Sequence, residues 1–209
     1  MIRPRLILLG AGGHAHACMD VIEQQSKYEI AGLVGTPNEI NSRTLGYPVI
    51  GTDNDLLELA KSYQYALVTV GQIGVAMNRI RLYHLATELG FKLATIISPI
   101  SYVSCHAVIG AGTIVMHGAI INAGARLGDN CIVNTKALVE HDTLIEDHCH
   151  ISTGAVLNGG VRLGAGSFVG SGSTIKEGVT IGKSCVVGMG VAVRRDQSDG
   201  SIYVGTGTR

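Results

Sequence analysis

Residues 103–192 read VSCHAV-IGAGTI-VMHGAI-INAGAR-LGDNCI-VNTKAL-VEHDTL-IEDHCH-ISTGAV-LNGGVR-LGAGSF-VGSGST-IKEGVT-IGKSCV-VGMGVA. Set out in sixes, the first column runs Val103, Ile109, Val115, Ile121, Leu127 and onward to Val187, with Val193 one step further, and every member is aliphatic. The fifth column, from Ala107 and Thr113 to Cys185 and Val191, holds only small residues. A period of six drifts out of phase with a 3.6-residue helix within a few turns, and the glycines spread through the stretch would weaken any helix. A short fixed period with one aliphatic and one small inward position is the mark of a parallel β-helix, each hexad forming one flat face of a prism. Three hexads make an 18-residue coil, so the fifteen hexads give about five coils, stacked at the strand spacing of roughly 4.8 Å.

The rest of the composition agrees with a narrow aliphatic prism. The 209-residue chain has no Trp and two Phe, with 46% hydrophobic and 15% charged residues, which is globular and not disordered. Sixteen basic residues balance sixteen acidic ones, so no net field favours nucleic acid or an anionic membrane surface, and any anion must be met locally. Of five cysteines, Cys131, Cys149 and Cys185 take the small inward slot, while Cys18 and Cys105 are isolated. Reduced thiols in a cytoplasmic protein are expected. The opening MIRPRLILLGAGGHAH leads from a short apolar run straight into a glycine turn, with no cleavage site.

Outside the prism the pattern changes to alternating strands and helices. Arg5 to Leu9 reads as a buried strand, Gly10 to Gly13 as a tight turn and His14 to Gln25 as a helix. A strand at Glu29 to Val34, a polar loop with Pro37 and Pro48, and a helix from Asp53 to Ser62 capped by Thr52 or Asp53 follow. Tyr65 to Val70 reads as a strand, Val75 to Leu89 as a helix and Lys92 to Ile97 as a last strand. This predicts a small α/β, Rossmann-like parallel sheet over residues 1–98, followed by the β-helix over 99–209. The loop from Gly10 to Ala15 fits G-x-G-x-x-A. The acid a dinucleotide site expects about twenty residues on is missing, replaced by Gly35-Thr36, and there is no room for a second mononucleotide half. What remains is bare backbone N–H at a helix N-terminus, suited to a phosphate, or simply glycines that let the strand turn.

One histidine carries a catalytic reading. In Val139-Glu140-His141-Asp142-Thr143 the inward residues are Val139 and Thr143, so His141 and Asp142 face outward. An imidazole is a base at neutral pH, and an adjacent carboxylate orients it and stabilises its cation. Eighteen residues on, Gly159 stacks over His141 and leaves a backbone N–H uncovered. A base and an oxyanion donor are the two parts acyl transfer needs. His150, on the next face, reads as an outward polar residue able to meet a ligand.

The hexad rule [LIV]-[GAED]-x-x-[STAV]-x resembles the hexapeptide-repeat acyltransferases, whose β-helix is left-handed. Together with the GAGGH turn at Gly10 to His14, the segment Asn134 to Asp142 and the segment Ile151 to Gly159, the chain resembles the NeuD/PglD/VioB family of sugar acetyltransferases over nearly its whole length. That resemblance implies acetyl-CoA as co-substrate with no metal, a bacterial surface-sugar acceptor, and a homotrimer with active sites between prisms. It places the general base on His141 and the acid that strengthens it on Asp142. It puts acetyl-CoA contacts on His150, Gly159, Ser171 and Met189, and nucleotide-sugar contacts on Gly12, Gly13, His14 and Gly71. Two stretches depart from the family pattern: Gly35-Thr36, where an acidic pair is usual, and Val204-Gly205-Thr206-Gly207, where V-G-x-P is usual.

The implied reaction is direct attack of a nucleotide-linked 4-amino-4,6-dideoxysugar on the thioester, in the cytoplasm, with a sialic-acid-type hydroxyl as the alternative acceptor. A more distant alternative is a zinc hydrolyase resembling γ-type carbonic anhydrase, for which His117, His141, His148 and His150 supply the number of ligands but not the spacing. The register also predicts that Ile151→Asp prevents folding and that Ser152→Asp is mild.

Overall fold

The computed structural model describes residues 2–74 and 76–204. The chain divides into two compact units, Met1–Gly71 with Met77–Pro99, and Gln72–Ala76 with Ile100–Arg209.

In the first unit the buried aliphatics Leu6 to Leu9 form β1 (Arg5–Leu9), the central strand. The other elements are α1 (Gly13–Gln25), β2 (Glu29–Val34), β3 (Arg43–Thr44), β4 (Tyr47–Gly51), α2 (Leu56–Leu59), β5 (Tyr65–Val68), α3 (Met77–Glu88) and β6 (Lys92–Leu93). The sheet order is β3-β4-β2-β1-β5-β6. Every pairing is parallel except β3 with β4. Ile7, Leu9, Val34, Leu56, Val68, Leu82 and Phe91 close one core, so helices must cover the sheet, as buried parallel strands require.

The structure corrects the expected elements at several points. The polar loop around Pro48 contains a hairpin, β3 and β4, turned by Leu45 and Gly46, both at positive φ. Two consecutive positive φ values define the tight turn that suits a twisted hairpin, and Leu-Gly lacks the Asn-Gly signature that would have announced it. The helix expected over 53–62 is a 3₁₀ turn, Asp53–Asp55, followed by the single-turn α2. Thr52 is its cap, with the Asp55 carboxylate accepting from both the Thr52 N–H and its hydroxyl. The last strand is split into Lys92–Leu93 and Ile96–Ile97. Val75, the expected start of α3, lies outside the described residues.

In the second unit the six-residue register holds throughout the stretch read from sequence. Two-residue strands stack on three faces, for example Ile114↔Ile132, Ile120↔Leu138 and Arg126↔Leu144, each partner eighteen residues on. Inward aliphatics from Val115 to Val193 are buried, while Val103 and Ile109 in the first coil are half-buried. The inward polar groups are satisfied within the stack. Thr113 Oγ1 donates to the Gly128 carbonyl and accepts from the Cys131 N–H, and Ser167 does the same with Gly182 and Cys185. The Cys131, Cys149 and Cys185 thiols turn to carbonyls at 3.1–3.2 Å. All five cysteines are free. After Val193 the step shortens to sixteen residues, with Val186↔Ile202 and Ile181↔Gln197.

Ser152 is not the exposed position the register suggested. It is buried, and its hydroxyl lies 2.9 Å from that of Ser171. The exposed neighbour is Thr153. The segment Gln72–Ala76 belongs with the prism because the Gln72 side chain donates to the Gly166 carbonyl at 3.0 Å.

Candidate active site

The corner after the face carrying Leu138–Val139 is where the repeat is interrupted by chemistry. Gly124, Asp142, Gly160 and Gly178 occupy equivalent places on successive coils, and all four have positive φ, +57° at Asp142. A non-glycine residue in this region is uncommon and costs backbone energy. Here the aspartate places Oδ2 at 2.9 Å from Nδ1 of His141. The room for its carboxylate comes from the coil before, since a Cβ on Gly124 would fall 2.4 Å from Asp142 Oδ1.

The imidazole leans the other way, over Gly159. A Cβ on Gly159 would fall 2.6 Å from His141 Nε2, so only glycine fits beneath the ring. The Gly160 N–H donates to the His141 carbonyl at 2.9 Å, and the Gly178 N–H to the Gly159 carbonyl at 3.0 Å. The Gly159 N–H has no protein acceptor among the described residues. The hydrogen bond that the His141 ring donates to Asp142 comes first in raising the His141 pKa; desolvation opposes it, and the charges of Asp142 and Glu140 add smaller upward shifts. Both side chains are exposed to solvent, His141 at 65%. An open cavity of about 580 Å³ lies against this corner, lined by Glu140, His141, Asn158, Gly159, Glu177 and Gly178.

Four of these lining residues were not singled out from sequence: Glu140, Asn158, Glu177 and Gly178. Glu140 Oε2 accepts from Asn122 Nδ2 at 2.8 Å and from the His141 N–H at 3.3 Å, tying the His141 backbone to the coil before it. The readable signal was the eighteen-residue step, which stacks Asn122, Glu140 and Asn158 just as it stacks His141 under Gly159.

The residues implied for acetyl-CoA fall into two groups. Gly159 sits beside His141, whereas Ser171 and Met189 are exposed at a different corner, after the face holding His150–Ile151, Phe168–Val169 and Val186–Val187. A single prism does not bring the two corners together. His150 corrects the sequence reading: it is buried, not outward to solvent. Its Nδ1 lies 2.9 Å from the Gln72 carbonyl, so Nδ1 carries the proton, and Nε2 accepts from Asn134 Nδ2 at 3.3 Å. Phe168 packs edge-on against the ring. With His148 Nδ1 at 3.0 Å from the Asn130 amide and His141 on Asp142, these histidines are engaged separately. Among the described residues no group of three or more His, Cys, Asp or Glu is placed to hold a metal ion.

The glycine turn of the first unit separates its two readings residue by residue. Gly10 has φ +125°, and a Cβ there would strike Val70 at 2.7 Å, so Gly10 serves the turn itself. Gly12 and Gly13 have open space where a Cβ would be. Gly12 caps α1 without any side-chain hydrogen bond, and the first turn of α1 contains no acidic residue. The helix N-terminus is therefore uncapped and positive. His14 lies against Gly71, at 3.2 Å from a Cβ built there. Burial first, and Arg79 second, lower its pKa to about 4, so it is neutral at physiological pH.

Where Gly35-Thr36 replaces the usual acid, the structure puts a carboxylate from elsewhere. Glu39 Oε2 accepts from the Thr36 N–H and hydroxyl at 2.7 and 2.8 Å, which holds its pKa below the usual range. Thr36-x-x-Glu39 is a capping box and was readable as one. The departure at Gly205 to Gly207 lies outside the described residues.

Residues 5–84 match the PglD N-terminal domain, residues 142–177 the bacterial transferase hexapeptide (six repeats), and residues 160–195 the hexapeptide repeat of succinyl-transferase. Among curated proteins none matches the sequence. Among solved structures, a histidine-to-asparagine mutant of perosamine N-acetyltransferase from Caulobacter crescentus, in complex with CoA and GDP-perosamine, is similar at 33% identity. It covers 98% of this chain and 95% of that one, with a TM-score of 0.90. The acetyltransferase domain of PglB from Neisseria gonorrhoeae FA1090, in complex with acetyl coenzyme A, is similar at 34% identity over 96% of both chains, with a TM-score of 0.88. WeeI from Acinetobacter baumannii AYE, at 23% identity over 98% of this chain and 99% of that one with a TM-score of 0.84, speaks to the fold alone.

Proposed function

The chain belongs to the NeuD/PglD-type sugar acetyltransferases, and from that premise we propose that it N-acetylates a nucleotide-linked 4-amino-4,6-dideoxysugar with His141 as general base. Its second unit is the left-handed β-helix of that family, it is an acetyltransferase, and acetyl-CoA is its co-substrate. The acceptor class is carried over from the Caulobacter relative, whose complex holds GDP-perosamine. Synthesis of a bacterial surface glycan in the cytoplasm belongs to the same proposal. No helix among the described residues is long and apolar enough to cross a membrane.

The observation that carries the mechanism is the His141 imidazole, held by Asp142 on one side and leaning over Gly159 on the other, beside an open cavity. The acceptor nitrogen attacks the thioester carbonyl as His141 Nε2 takes its proton. The Gly159 N–H, which no protein group among the described residues uses, donates to the developing oxyanion. His141 then returns the proton to the departing sulfur. No acyl-enzyme is needed.

The separation of Gly159 from Ser171 and Met189 onto two corners supports a homotrimer in which a second copy brings its Ser171 and Met189 corner to the His141 corner. In the first unit, Gly12, Gly13 and neutral His14 beside Gly71 would hold the nucleotide diphosphate, with backbone N–H as the chief donors. Steady-state kinetics with matched nucleotide-linked and free sugars, read as CoA release, test this reading. We expect a nucleotide-linked amine to be preferred, the nucleobase to be exchangeable, and most activity to be lost without the diphosphate. Preference for a free sialic-acid-type sugar would instead establish the O-acetyltransferase.

A further inference from the structure

Glu140 is a carboxylate with one oxygen used and one open. Its Oε2 is fixed by Asn122 Nδ2 and the His141 N–H, while Oε1 accepts no hydrogen bond among the described residues. The side chain is half-buried and lines the cavity next to the base. At its place on the other coils stand Ser104, Asn122, Asn158, Lys176 and Arg194, so the carboxylate is peculiar to the coil that carries His141. The charged groups around it are Asp142, which is bound to His141, and Glu177, which lies 3.9 Å from Lys176. With His141 neutral, three carboxylates face one ammonium, and the corner is negative.

We propose, resting on the amino-sugar reading above, that Glu140 is the specificity-determining residue that selects an amine, holding the acceptor as its ammonium ion through the open oxygen before His141 removes a proton. An aliphatic amine is mostly protonated at neutral pH, and only its free form has the lone pair needed for attack. The ammonium on Glu140 gives one proton to His141, which passes it to water. The free amine then attacks the thioester carbon, forming C–N. The second proton moves through His141 to sulfur as C–S breaks. In sum, R–NH₃⁺ and acetyl-CoA give R–NH–acetyl, CoA–SH and H⁺. A hydroxyl gains nothing from this carboxylate, and a sialic-acid-type acceptor, itself an anion, is repelled by it.

Calorimetric titration of the full chain, with CoA present, tests the assignment using GDP-perosamine and its GDP-linked 4-hydroxy counterpart as probes. Glu140→Gln should weaken binding of the amine at pH 7 by about 10- to 100-fold, the range for one hydrogen bond to a charged group. Binding of the hydroxy probe should change by no more than a few fold. Glu140→Asp, which keeps the charge, should recover much of the loss. Independently of any variant, the unmodified protein's preference for the amine should fade as pH rises through the amine's pKa. Equal weakening of both probes by Glu140→Gln, or a preference that does not change with pH, would overturn the proposal while leaving the acetyltransferase reading intact. Failure of the unmodified protein to bind either probe would overturn the acceptor reading and this proposal with it.

Discussion

The prism and the glycine-turn unit hold their glycines for different reasons. In the prism, Gly124 and Gly159 are empty so that two other side chains, Asp142 and the His141 imidazole, can occupy the space. In the first unit, Gly10 is demanded by the backbone, while Gly12 and Gly13 border open space. A glycine that clears space for a neighbouring side chain builds a site from within the chain; one that leaves space open invites a ligand. The same residue type thus marks a candidate catalytic corner in one unit and a candidate binding turn in the other.

The largest break in this comparison should come from the prism's register. Ile151 is fully buried between Val133 and Val169, so Ile151→Asp leaves an unpaired carboxylate in the core and should abolish soluble folding. Thr153→Asp, at an exposed turn, should fold and melt close to the unmodified protein. Comparable soluble yields and melting temperatures for the two would break the register.

Next in size is Gly159→Ala. The backbone N–H stays, but the added methyl would lie 2.6 Å from Nε2, so the ring must move. Turnover should fall by about 10²-fold, as expected when a reacting group is displaced by about an ångström. The exposed corner should keep its melting temperature. Turnover unaffected by the methyl would show that His141 does not work from this position.

The smallest effects should come from the glycine turn, and they should differ in kind. Gly10→Ala meets both a positive φ and Val70, and should lower stability by about 1 to 3 kcal/mol. Gly12→Ala meets nothing within 4 Å, so it should leave the melting temperature nearly unchanged and raise the acceptor's KM more than it lowers kcat, because it narrows binding space shared by ground and transition states. A Gly12→Ala protein with unaltered KM would reduce this turn to a structural feature.

How much of this was legible follows from repetition. Each hexad restates one rule fifteen times, so a single substitution cannot hide the register, and the stacking of Gly159 on His141 follows from counting eighteen. The β3–β4 hairpin is stated only once, by a Leu45-Gly46 turn without the usual residues, and Pro48 argued against a strand there. His150 was misjudged for a related reason. The register gives which way a side chain leaves the coil, but not that Gln72, almost eighty residues earlier, would supply a carbonyl to cover it. Glu140 was passed over because its value lies in an unshared oxygen, which no spacing reveals.

The base assignment is tested most directly by the pH profile of kcat/KM for His141→Ala and Asp142→Asn beside the unmodified enzyme. Asp142 raises the His141 pKa, so activity should rise with pH as the imidazole loses its proton. Removing the Asp142 charge should move this acid limb to lower pH while reducing the plateau. His141→Ala should lose about 10²- to 10⁴-fold of turnover, and the limb with it, with acetyl-CoA binding retained. An acid limb that stays in place in Asp142→Asn, together with near-normal turnover by His141→Ala at saturating substrate, would contradict His141 as the base.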